Sequence, residues 1–261
     1  MTFQSESTSV GLWSSLADAA TLRLLAAADP GWLALDVQHG TWTDADLLTV
    51  LPTLEAAVPV LVRLADDRPA AIGRALDAGA DGVIVPMVED AAQAADAVRA
   101  CRYPPLGARS WGPAAPLVGR AAVAADEANA AVRCAVMVET AAALAVVGEI
   151  AAVPGLDMVF VGPFDLALAL GTTVDALLAD AAPGAPLPSV VAACRAAGVR
   201  AGAFAGDHER AGQLVALGFT DVVVATDAGL LGAAARQAVA RWGEGPGAGR
   251  DASTGAPSTG Y

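Results

Sequence analysis

Ala135-Val136-Met137-Val138-Glu139-Thr140 and Met158-Val159-Phe160-Val161-Gly162-Pro163-Phe164-Asp165 are the two stretches that decide the fold. Each opens with a short apolar run, rich in β-branched residues and free of charge, and each ends in an acid. Such runs read as strands buried on both faces, the pattern of a parallel sheet covered by helices. In folds of that kind the carboxyl ends of the strands carry the chemistry. Carboxylates at the ends of two successive strands suit a hard-cation site open to substrate. The same two acids also suit helix starts, where the dipole favours negative charge.

Outward from this pair, strand and helix patterns alternate in both directions. Towards the N-terminus, Val10-Gly11-Leu12-Trp13 reads as a first strand and residues 17–28 as a helix. Trp32-Leu33-Ala34-Leu35-Asp36 is a second strand running into Val37-Gln38-His39-Gly40. Thr43 can cap a helix that reaches about residue 57. Residues 59–64 form a third strand containing Arg63, residues 68–78 a helix stopped by Gly79, and residues 82–87 a fourth strand. A helix over 90–102 precedes the loop Tyr103-Pro104-Pro105-Leu106-Gly107, which leads through Arg109-Ser110-Trp111 to a helix near 121–131.

A helix over 141–151 separates the two diagnostic strands. Beyond them come a Pro-rich connection at 183–188, a helix at 189–197 and a seventh strand at 200–205. Asp207 caps a helix ending at Gly218, residues 221–225 form an eighth strand, and a last helix covers 228–242. Eight alternations in 261 residues match a (β/α)₈ TIM barrel, for which ~250 residues is typical. No Gly-x-Gly-x-x-Gly follows the first strand, as a doubly wound dinucleotide fold would show. The pattern predicts one barrel domain over 1–242 and a disordered Gly/Pro/Ser-rich tail over 243–261.

Composition narrows the function. The net charge of −13 argues against nucleic acid or an anionic membrane as partner. No apolar run is long enough for a membrane span, and the first residues lack a signal-peptide pattern, so a cytoplasmic location is expected. Three widely spaced cysteines fit reduced core thiols. Every basic residue is arginine. Without lysine there is no Schiff-base nucleophile and no P-loop lysine, so carbanion chemistry needs a metal or another electron sink.

On a barrel, polar residues at strand ends converge on one mouth. In order they are Trp13, Asp36, His39, Arg63, Glu139 and Asp165. Glu139 and Asp165 can hold a divalent cation, Arg63 an oxyanion, and His39 can move a proton, oriented by Asp36. Arg63 stands inside an apolar run, where a guanidinium needs a partner. Asp36 and His39 taken singly also suit a turn, and Trp13 the core.

These residues, with Gly11-Leu12-Trp13, Leu35-Asp36-Val37-Gln38-His39-Gly40, Val62-Arg63, Val85-Pro86-Met87-Val88, Arg102-Tyr103-Pro104-Pro105-Leu106-Gly107-Ala108-Arg109, Val138-Glu139-Thr140 and Val161-Gly162-Pro163-Phe164-Asp165-Leu166, resemble the HpcH/HpaI family. These are metal-dependent pyruvate aldolases of the 4-hydroxy-2-oxoheptanedioate aldolase type. The resemblance runs from about Gly11 to Trp242.

It implies a barrel of the phosphoenolpyruvate/pyruvate-binding type. It further implies a homo-oligomer, hexamer or trimer, with the last helix exchanged between subunits. Mg²⁺, Mn²⁺ or Co²⁺ would be held by Glu139 and Asp165. A 2-oxo acid, pyruvate or oxaloacetate, would bind at Gly162, Pro163, Phe164 and Asp165 and be converted to an enolate beside Arg63. His39, oriented by Asp36, would serve as acid/base, and Trp13 would line the end that takes an aldehyde. Related possibilities are an oxaloacetate decarboxylase or condensing enzyme, a citrate lyase β-like acyl-CoA lyase, and a non-catalytic barrel. The chain departs from the family pattern at Gln38, Met137 and Ser110-Trp111, the last expected to bring a bulky ring to the pocket mouth.

Overall fold

A computed structural model describes residues 7–54 and 58–244. Its first half runs β1 (Ser9–Ser14), α1 (Ala19–Ala27), β2 (Trp32–Asp36), α2 (Asp44–Val50), β3 (Val60–Arg63), α3 (Pro69–Ala78), β4 (Gly82–Val85), α4 (Ala91–Cys101) and α5 (Ala125–Ala131). Next come β5 (Arg133–Val138), α6 (Ala141–Ala145), α7 (Val147–Ala151), β6 (Met158–Val161), α8 (Pro163–Ala169), α9 (Val174–Ala179) and α10 (Pro186–Ala197). The chain continues through β7 (Arg200–Phe204), α11 (His208–Leu217), β8 (Asp221–Thr226) and α12 (Asp227–Glu244). All eight strands are parallel and close into a barrel in sequence order, as expected.

The chain divides into two units, Met1–Asp227 and Ala228–Tyr261. The first holds the barrel. In the second, α12 continues to Glu244, two residues beyond the helix end expected from composition. Residues 245–261, the rest of the expected tail, lie outside the described residues, as does residue 57, where the second helix was expected to end.

Two apolar cores follow from the two faces of the strands. Leu33, Leu35, Val60, Val62, Val136, Val138, Val159 and Val161 face the helices. Trp13, Trp32, Ala34, Leu61, Ile84, Ala135, Met137, Met158 and Phe160 fill the barrel interior. Side chains alternate across a strand, so the interior series 32-34 continues to Asp36, 61 to Arg63, 135-137 to Glu139, and 158-160 to Gly162. Strand periodicity alone therefore sends Asp36, Arg63 and Glu139 to the mouth of the barrel.

Local sequence sets the helix ends. Asp18, Thr43, Asp90, Thr140, Thr173 and Asp207 cap helices with side-chain oxygens. Several elements differ from expectation. The second helix stops at Val50 and becomes a 3₁₀ turn over Leu51–Thr53, because Pro52 has no N–H for the α-helical ladder. The helix expected over 141–151 is two short helices divided at Val146, whose φ of −118° is not helical. The helix expected near 121–131 starts only at Ala125.

Two short helices, α8 and α9, follow β6; a helix start at Asp165 was one of the two readings of that acid, whereas α9 was not expected. The Pro-rich connection is partly helix: Pro186 and Pro188 open α10, where first-turn N–H groups have no intrahelical partner to lose. Among the described residues no helix is long and apolar enough to cross a membrane.

Candidate active site

The C-terminal ends of the strands surround a cavity of about 220 Å³. Trp13, Asp36, His39, Arg63, Phe164 and Asp165 line it, so the structure gathers most of the residues singled out above. Gly162 lines it too, while Pro163 is buried at the first position of α8.

Asp36 is the hub. Both of its oxygens take the fork of Arg63, from Nε at 2.9 Å and Nη2 at 2.6 Å. Trp13 Nε1 donates to Oδ2 at 3.2 Å, and the backbone N–H groups of Gln38 and His39 donate to Oδ1 at 3.1 Å each. Burial alone would raise the Asp36 pKa, but the hydrogen bonds and charge of Arg63, aided by His39 N–H and Trp13, outweigh it and hold the carboxyl below its usual range. Asp36 therefore orients His39 differently from the way expected. It fixes the backbone of the turn, and the Arg63 fork occupies the oxygens that the imidazole would use.

Arg63 has the partner that its place in an apolar run requires. Its guanidinium carbon also lies 5.0 Å from the centroid of the Trp13 ring. The fork to Asp36 employs Nε and one Nη2 N–H, which leaves Nη1 and the second Nη2 N–H for a ligand.

Glu139 is buried at the end of β5. The helix-start reading does not hold for it, because the next residue, Thr140, supplies the cap. Asp165 does stand in the first turn of α8, as the helix-start reading requires. Glu139 Oε1 accepts from the backbone N–H of Met87 at 2.8 Å. Met87 adopts a left-handed φ of 56°, uncommon for a residue with a side chain, at the position that gives this bond.

Burial pushes the Glu139 pKa up. The Met87 N–H opposes this, the charge of Asp165 adds to it, and Arg63 and His39 oppose it, with a net rise. A dication between Glu139 and Asp165 would relieve that repulsion. A Cβ on Gly162 would stand 2.8 Å from Glu139 Oε2 and 3.0 Å from Met137 Cε, so the bare glycine keeps that oxygen clear. Among the described residues no group of three or more His, Cys, Asp or Glu side chains could hold a metal. A cation here would have two protein carboxylates and keep its other positions for water and substrate oxygens, as hard cations of the Mg²⁺ kind commonly do. The donor set fits.

The family model described as HpcH/HpaI aldolase/citrate lyase matches residues 9–234. The chain belongs to that family. The chain is 35% identical over 237 residues to a 2-dehydro-3,6-dideoxy-6-sulfogluconate aldolase of Pseudomonas putida, covering 87% of this chain and 89% of that one. It is 37% identical to a hydroxypyruvate/pyruvate aldolase of Roseovarius nubinhibens, covering 89% of this chain and 91% of that one. An HpcH/HpaI aldolase/citrate lyase family protein of Burkholderia cenocepacia superposes with a TM-score of 0.82 at 35% identity, covering 90% and 95% of the two chains. Within the HpcH/HpaI family this chain is an enzyme of the aldolase type, a carbon–carbon lyase.

Sequence reasoning missed four residues at the cavity: Ser15, Met137 as a lining residue, Phe160 and Phe204. Inward parity on β5 and β6 would have found Met137 and Phe160. It also missed Asp227, which is buried and accepts from Ser14 Oγ at 2.8 Å, Ser15 N at 2.9 Å and Leu16 N at 3.0 Å. Trp111 is not where it was expected. Its ring packs 5.1 Å from Tyr103. Arg109, beside it in sequence, pairs with Asp77 near the C-terminal end of α3, and Ala108 N–H bonds Arg99 near the end of α4. In a parallel barrel, helix C-termini lie at the end opposite the strand C-termini, so this loop is remote from the mouth of its own barrel.

Proposed function

We propose that this chain is a divalent-metal-dependent aldolase. It forms the enolate of a 2-oxo acid, pyruvate or oxaloacetate, and adds it reversibly to an aldehyde, so that the reverse reaction cleaves 4-hydroxy-2-oxo acids. The observation that carries this reading is the Arg63 fork on Asp36, which faces the same cavity as His39 and Asp165, with Glu139 behind the lining residue Gly162.

Glu139 and Asp165 would hold Mg²⁺, Mn²⁺ or Co²⁺, and the bound ion would supply Lewis-acid stabilisation of negative charge on the 2-oxo acid. Arg63, immobilised by Asp36, offers its remaining N–H groups to the oxygen on which charge develops as a C3 proton leaves. Because the guanidinium is already fixed, it need not reorganise during the reaction. His39 lies within the cavity on a turn that Asp36 holds by two backbone bonds, and it accepts or returns the proton directly or through water. The start of α8, around Gly162, Pro163, Phe164 and Asp165, is the place for the substrate carboxylate, at the positive end of a helix dipole. The carbanion carbon then attacks the aldehyde carbon, and the resulting alkoxide takes up a proton.

A homo-oligomer, hexamer or trimer, is part of this reading. It is supported by the exposure of Leu230, Leu231, Val239 and Trp242 on α12, four large apolar side chains on one helix. A cytoplasmic location accords with three buried, unpaired cysteines.

The test is loss of the pyruvate methyl proton signal by NMR in D₂O. The protein is stripped of metal and then given Mg²⁺, Mn²⁺ or Co²⁺. Metal-dependent exchange is the expected result. No exchange of pyruvate with any metal, and no turnover of oxaloacetate, would overturn the reading.

A further inference from the structure

The chain contains only five phenylalanines, and three of them, Phe160, Phe164 and Phe204, line this one cavity together with Trp13. The rings touch in series. Trp13 stacks on Phe160 at 5.9 Å, meets the edge of Phe204 at 5.3 Å, and Phe204 meets Phe164 at 6.2 Å. Met137 completes the wall. The charged groups of the cavity, Asp36, His39, Arg63 and Asp165, belong to the enolate-forming machinery proposed above. Phe160, Phe164, Phe204 and Met137 offer an incoming group only carbon and sulfur; Ser15 adds one small hydroxyl to the lining, and Arg63, 5.0 Å from the Trp13 centroid, is held by Asp36 and committed to the enolate.

Arg210 lies over the Phe164 ring at 5.5 Å and is paired with Asp207 at 3.1 Å and Asp175 at 3.4 Å. Nor is it among the residues that line the cavity. A hydroxylated or anionic aldehyde would give up water against the Phe160, Phe164 and Phe204 rings, which return no hydrogen bond, whereas an apolar group gains from the same contact.

The geometry points to an apolar aldehyde acceptor, aryl or branched alkyl, selected by the Phe204, Phe164 and Trp13 rings. This rests on the aldolase reading and names its second substrate. The cavity is smaller than the ~300–1,000 Å³ of common ligand sites, so the acceptor carries a single ring or its equivalent. Phe204 is the specificity-determining side chain: it stands at the end of β7, half-buried, and contacts rings on both sides.

The experiment uses the metal-loaded enzyme, pyruvate, and three aldehydes: benzaldehyde, glyceraldehyde and succinic semialdehyde. Benzaldehyde is expected to have a kcat/KM at least ~10-fold above the other two. In Phe204→Ala that ratio is expected to fall by ~10-fold, and Phe204→Leu keeps most of it. The ratio within one variant cancels any shared loss of folded enzyme. Equal or higher kcat/KM for glyceraldehyde or succinic semialdehyde, with pyruvate exchange intact, would overturn this inference and leave the aldolase reading standing. Absence of metal-dependent pyruvate exchange would remove both.

Discussion

Arg63 holds Asp36 by two parallel hydrogen bonds, Nε to Oδ1 at 2.9 Å and Nη2 to Oδ2 at 2.6 Å, with both side chains largely out of solvent. Neighbouring parallel strands place them side by side, since Asp36 and Arg63 are register partners of β2 and β3. Truncating one partner leaves the other as an uncompensated buried charge. Arg63→Met is therefore expected to destabilise the protein by about 3–5 kcal/mol, measured by urea denaturation. The double variant Arg63→Met/Asp36→Leu should recover much of that loss. Arg63→Lys keeps the charge but not the fork, and is expected to lower kcat/KM by ~10²–10³-fold.

The pH dependence follows from the depressed pKa of Asp36. The group's usual value is 3.8, and its folded value is lower. Its contribution to stability is thus fully present above pH 3.8 and is lost as the pH falls through the folded pKa. The stability difference between wild type and Asp36→Asn is expected to be constant from neutral pH down to about 4 and to shrink below it. Urea midpoints across that range measure it. A difference that grows on acidification would contradict the assignment.

Gly162→Ala tests the cation site through its geometry. The backbone there has an ordinary φ of −92°, so the substitution brings no backbone strain of its own. The new methyl instead meets Glu139 Oε2 and Met137 Cε. Mn²⁺ affinity, read by titration calorimetry, is expected to weaken by ~10–100-fold, the usual scale for disturbing a metal ligand's surroundings. Glu139→Gln should weaken it at least as much. An unchanged affinity in both would remove Glu139 from the site.

Asp227→Ala tests the seam between β1 and β8. The carboxylate accepts from Ser14 Oγ and from the N–H groups of Ser15 and Leu16. Trp42 Nε1 in turn donates to Ser14 Oγ at 3.1 Å. Each buried donor left without a partner costs about 1–3 kcal/mol. A loss of roughly 3 kcal/mol or more is expected by urea denaturation, with Asp227→Asn intermediate.

The barrel and the convergence of its polar residues were legible because both depend on strand parity. An apolar run of period two sends Asp36, Arg63 and Glu139 to the interior whatever the neighbouring strands contain. Short helices were less legible. α8 and α9 are seven and six residues long, too short for a clear amphipathic period, although Pro163 and Asp165 are good helix openers. Partnership was the least legible of all. That Asp36 would clamp Arg63 rather than the His39 ring depends on strand register, which no local pattern encodes. Trp111 was placed wrongly for the same kind of reason: its loop is anchored by Asp77, remote in sequence.

Barrel closure pairs residues 9–13 of β1 with residues 221–226 of β8, and Asp227 then fastens the turn after β1. That seam joins the two ends of the barrel sequence, so its pairings span the largest sequence separation of any in the sheet. Trp13 and Ser15, both on the cavity wall, lie at or just beyond the C-terminal end of β1. The strand that closes the barrel thus contributes none of the residues proposed to act on substrate; it serves the site only by holding β1, and Trp13 with it, in place.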